Sequence, residues 1–133
     1  RSLTINLIHS WRLARNWTLN SRGVYASGQP YTQVLTRGEM VIPSGDRLYF
    51  EEKGPLNGVR LPDYRRVDVA IQWLRTFSSW DMKFYLQIVN LTNHKNIFNY
   101  YWSEGKPDQR KPGKRKDFSM LPLLPSFGID FNF

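Results

Sequence analysis

The residues with the chemistry to act as a site fall into small, separate groups. His9 and His94 lie far apart without ligand spacing, and the absence of Cys excludes thiolate metal sites and disulfides. Asp63 and Asp68 flank Arg65 and Arg66; strand alternation sends Asp63 to a loop end, and an ordinary ion pair is the expected role there. Asn90-Leu91-Thr92 has the form of a glycosylation sequon. Asn90, Asn93 and Asn96 are instead expected to bond to backbone where a strand kinks. The sequence has no GxSxG and no Gly-rich phosphate loop, so neither a catalytic constellation nor a cofactor is expected. The last group is cationic: GKPDQRKPGKRKDF carries Lys106, Arg110, Lys111, Lys114, Arg115 and Lys116, with Pro107 and Pro112 marking a loop. Either this is a solvated basic loop, or Lys111, Lys114, Arg115 and Lys116 meet an anionic ligand.

Bulk composition narrows the classes. Hydrophobic residues make up 41% and aromatics 15% of 133 residues, too apolar for disorder and richer in aromatics than a small core needs. No stretch of 18 apolar residues occurs, which excludes a transmembrane helix. A net charge of +8 prompts a nucleic-acid reading, but much of the excess sits in the one basic segment, so nucleic acid is not expected as a partner. The chain opens on Arg1 and is expected to be processed or to be one piece of something longer.

The elements carrying these groups alternate with period two. In SLTINLIHSWRL, Leu3, Ile5, Leu7, Trp11 and Leu13 oppose Thr4, Asn6, Ser10 and Arg12, with one break at Ile8 and His9. WTLNSRGVYASGQPY repeats the pattern more weakly, with Trp17, Leu19 and Tyr25 on one face. RRVDVAIQWLR sets Val67, Val69, Ile71 and Trp73 against Arg66, Asp68, Ala70 and Gln72. MKFYLQIV sets Met82, Phe84, Leu86 and Ile88 against Lys83, Tyr85, Gln87 and Val89, and loses phase after Asn90. SFGIDFNF places Phe127, Ile129, Phe131 and Phe133 on one face to the end.

This predicts an all-β, antiparallel fold of about five strands. The strands are joined by short turns near 14–16 and 77–81 and by long loops near 33–62 and 103–119. Strands of roughly this length suit a tilted bilayer crossing of about 9–11 residues. Trp11, Trp17, Trp73 and Trp80 gather at the short turns as an expected aromatic belt, and Tyr25, Tyr31, Tyr100, Tyr101 and Trp102 lie at the other rim. Ile71, Phe84, Leu86 and Ile129 are then expected to face lipid.

The order of YASGQPYT, NGVRLPDYRRVDVAIQW, LQIVNLTNHKNIFNYYW and LPSFGIDFNF resembles the C-terminal barrel segment of a TonB-dependent outer-membrane receptor of the Bacteroidota type. Ser126, Gly128, Phe131 and Phe133 also resemble the terminal signal read by the barrel-assembly machinery. The resemblance implies part of a transmembrane β-barrel of about 22 strands around a plug, in the bacterial outer membrane, serving ligand uptake and not catalysis. The implied partners are outer-membrane lipid, the rest of the barrel and plug in the same or a companion chain, the TonB complex and the assembly machinery. A capping surface lipoprotein is a further candidate partner. On an outer face the basic cluster would meet lipopolysaccharide phosphates or an anionic ligand. The chain departs from the family in size, since five strands cannot close and no plug is present. Two alternatives stand beside this reading: a structural barrel segment or assembly client without its own transport role, and a soluble basic β-sandwich binding nucleic acid.

Overall fold

The computed structural model describes residues 1–103 and 114–133. No helix forms among the described residues. The strands are β1 (Thr4–Ala14), β2 (Trp17–Ala26), β3 (Pro30–Tyr31), β4 (Val34–Val41), β5 (Arg47–Lys53), β6 (Val59–Arg60), β7 (Tyr64–Thr76), β8 (Asp81–Val89), β9 (Ile97–Ser103), β10 (Lys114–Ser119) and β11 (Leu124–Asn132). Five of them form one antiparallel sheet in the order β1-β2-β7-β8-β11. The others pair off as three two-stranded ribbons, β3-β6, β4-β5 and β9-β10.

The register explains the alternation. Trp11 pairs with Leu19, Leu19 with Ile71, Ile71 with Leu86 and Leu86 with Phe127, so one apolar row crosses all five strands. The next row toward the short turns is Trp17, Trp73, Phe84 and Ile129. On the reverse face Arg22 pairs with Asp68, Gln72 with Tyr85, and Lys83 with Asp130. Two-faced sheets usually bury the apolar side against another layer. Here all substantial contacts between strands are between ladder partners, and no second sheet packs over either face among the described residues. Buried apolar side chains are accordingly few: Ala26 and Leu61 lie at the loop end of the sheet, while Leu7 is 70% and Phe127 76% exposed.

Three expectations are corrected. The stretch near 33–62 is not irregular: β4 and β5 form a hairpin within it, turned at Gly45, whose φ of 90° is open to glycine without steric cost. Neither VLTRGEMV nor RLYFEEK alternates apolar with polar residues, so parity gives no signal there. The second long loop likewise contains strand, since β9 and β10 pair from Ile97–Ser119 to Trp102–Arg115. Ile8 and His9 do not interrupt β1; both stay in register, and the irregularity lies between Arg12 and Ala14.

Candidate functional site: a two-faced sheet and its loop-end rim

The apolar face holds Ile71, Phe84, Leu86 and Ile129 together, in two adjacent rows. Its short-turn end is closed by aromatics. Trp17 stacks on Trp73 with centroids 6.0 Å apart, and Phe77 stacks on Trp80 at 4.0 Å. Trp80 then reaches Phe131 at 5.9 Å and Phe133 at 6.2 Å. Trp11 lies one row further in and meets His9 edge-on at 6.3 Å. Such pairs contribute about 0.5–1.5 kcal/mol each beyond area burial; one ties the first turn to β7, and the others tie the second turn to the last strand.

Ser126, Gly128, Phe131 and Phe133 do not share a face. Ser126 and Gly128 fall on the polar side, opposite Gln87 and Tyr85, and Phe131 on the apolar side opposite Met82. Gly128 has a steric role of its own, because the Tyr85 ring lies across it and a Cβ there would overlap that ring. The polar face is knit by side chains. Ser10 donates to Asn20 at 2.7 Å, Arg66 donates through Nε to both oxygens of Asp68 at 2.7 and 2.9 Å, and Lys83 lies 3.5 Å from Asp130.

The loop end is organised by three asparagines, as the chain pattern suggested. Asn90 adopts φ 55° and is 1% exposed. Its Nδ2 donates to the carbonyls of His94 and Leu121, and its Oδ1 accepts from the His94 N–H. Asn96, 2% exposed, clasps Arg65: its Nδ2 donates to the Arg65 carbonyl at 2.7 Å and its Oδ1 accepts the Arg65 N–H at 2.8 Å. Asn93 accepts the Leu123 N–H. The heptad NLTNHKN thereby joins β7, β8, the β9-β10 ribbon and the approach to β11.

Asp63 takes no ion pair among the described residues, contrary to expectation. It accepts the Tyr25 hydroxyl at 2.7 Å and the Gly28 N–H at 3.1 Å. The Tyr25 hydroxyl first, then the Gly28 N–H, hold its carboxyl below the usual carboxylate range. Asp68 does pair with Arg66. Of the basic cluster, Lys111 lies outside the described residues, Lys114 opens β10, and Lys116 follows within that strand. Arg115 sets its guanidinium 4.6 Å from the Tyr100 ring centroid, and Tyr100 in turn lies 5.6 Å from Tyr31. No cluster of His, Cys, Asp or Glu suited to a metal occurs among the described residues. Among the described residues no helix is long and apolar enough to cross a membrane.

Sequence reasoning missed the cations on the apolar face. Extending the parity of β7 outward gives Arg65, Val67, Val69, Ile71, Trp73 and Arg75 on one side, so this face of β7 is apolar between two arginines. Compared with family models, curated proteins and solved structures, the chain matches none.

Proposed function

We propose that this chain is a segment of a TonB-dependent outer-membrane receptor, contributing five lipid-crossing strands to a larger plugged barrel that imports a ligand. The observation that carries the reading is the single-layered sheet, apolar across all five strands on one side and polar on the other, with nothing among the described residues covering the apolar side. A bilayer supplies that missing layer. The dimensions agree: from Arg65 to Arg75 is about 33 Å along the strand at roughly 3.3 Å per residue. Tilted about 45°, it spans about 23 Å, against an apolar band of about 25 Å in outer-membrane barrels. The aromatic band at the short turns suits one membrane–water interface. The Arg22, Arg66 and Asp68 group suits a wet or plugged lumen.

The free edges of β1 and β11 would leave backbone groups unsatisfied in lipid, each at a cost of several kcal/mol. Further strands, from the same or a companion chain, must therefore pair with them. Ligand binding and TonB coupling fall to those other parts and to the loop-end ribbons. The test is fractionation of cells that make the chain with its natural partners. The expected result is recovery in the outer membrane, extraction only by detergent, co-purification of the remaining barrel and plug, and ligand uptake that stops when the TonB complex is inactivated. A chain that remains soluble and monodisperse without detergent overturns the proposal.

A further inference from the structure

Near the loop end of the apolar face lies an open groove of about 450 Å³, comparable in volume to small-molecule sites. Its lining includes Leu7, Gly23 and Val67 together with Arg65, Thr92 and His94. Gly23 creates the depression, for it stands in the row between Leu7 and Val67 and offers no side chain to fill it. A gap of this kind in a lipid-facing row accommodates a chain, whereas a flat row only slides past one.

Arg65 gives the groove its chemistry. It sits at the loop end of the otherwise apolar face of β7 and forms no ion pair among the described residues. Its backbone is clasped on both sides by buried Asn96. Its guanidinium lies 5.9 Å from the centroid of the Tyr25 ring, and the Tyr25 hydroxyl is itself held by Asp63. The cation thus borders the apolar groove, which Thr92 and His94 also line. A guanidinium recognises phosphate, and the apolar groove beside it suits an acyl chain.

We infer that this groove is a binding site for a phosphate-bearing lipid of the outer leaflet, with its phosphate on Arg65 and one acyl chain lying over Gly23. The inference rests on the membrane reading above and adds to it a specific lipid contact. It is separate from the basic cluster around Lys116, which lies on the β9-β10 ribbon.

The test uses the complete assembly, extracted from outer membranes in detergent, stripped of lipid and returned to phosphatidylcholine vesicles. The vesicles carry a minor fraction of either lipid A or its dephosphorylated form, and lipid retained on re-extraction is measured by native mass spectrometry. The parent assembly should retain the phosphorylated form about ten-fold over the other, as a charged hydrogen bond requires. Arg65→Gln should erase that preference, and Gly23→Leu should lower retention of both forms while protease resistance of the assembly stays unchanged. Equal retention of the two lipids by the parent overturns the site. So does a preference that survives Arg65→Gln, or one that instead disappears with Lys116→Glu. An assembly that enters neither vesicle population overturns the membrane reading, and this site falls with it.

Discussion

Asn90 combines two demands that few side chains meet. Its backbone is left-handed, which costs an ordinary residue roughly 1 kcal/mol, and its amide closes three hydrogen bonds out of contact with solvent. Asn90→Ala should therefore destabilise the assembled protein by about 2–4 kcal/mol, from backbone strain plus unsatisfied groups at His94 and Leu121. Asn90→Gly should lie between the two, since glycine relieves the strain and leaves the bonds unmade; thermal denaturation of the assembly ranks the three. Asp63 offers a second residue-level test, with the sign set by its lowered carboxyl. The stability it contributes is fully present above the ordinary carboxylate value and is lost as pH falls through the lower folded value. Hydrogen exchange at the Gly28 N–H should stay protected from neutral pH down to about 4 and rise only below that. Asp63→Asn should remove the acid-dependent rise. Protection that is lost already near pH 6 contradicts the assignment.

At the level of elements, the last strand is where steric fit and the proposed recognition by assembly factors become separable. Gly128 lies under the Tyr85 ring of the neighbouring strand. Gly128→Ala should cost about 1–3 kcal/mol by overpacking, or less if Tyr85 swings aside, and Tyr85→Ala should largely cancel that cost. If membrane insertion, followed by protease protection of surface loops, stays impaired in the double variant while stability recovers, Gly128 is also read by assembly factors. How much of the sequence was legible follows the same division. β1, β2, β7, β8 and β11 each carry one apolar side, so parity alone marks them. β4, β5 and β10 carry no period-two alternation and fall within the stretches that read as loop. The asparagine junction was legible because clustered asparagines near a strand end signal side-chain to backbone bonding. The Tyr25–Asp63 bond was not, because it joins residues distant in sequence and depends on which side each strand end presents.

For the whole molecule, the decisive property is incompleteness of packing. An ordinary domain of this length folds around one interior, yet the side chains that would build such an interior here, Leu7, Trp11, Phe127 and Phe131 among them, are open. The +8 charge adds self-repulsion to a sheet with two unpaired edges. A stable isolated monomer in water is therefore not the expected state of this chain. Detergent or lipid should be required to hold it dispersed, and its stability should be a property of the assembly.

Ala26 ends β2 and pairs with Tyr64 at the start of β7, so β2 is paired along its whole length although residues 27–63 leave and return between the two strands. Lengthening such an excursion adds closure entropy only logarithmically, about 0.6 kcal/mol per doubling. Evolution can therefore swap, extend or reshape that detour while the scaffold underneath keeps its registry. A lineage carrying this sheet would be free to vary what that detour meets without relearning how to fold.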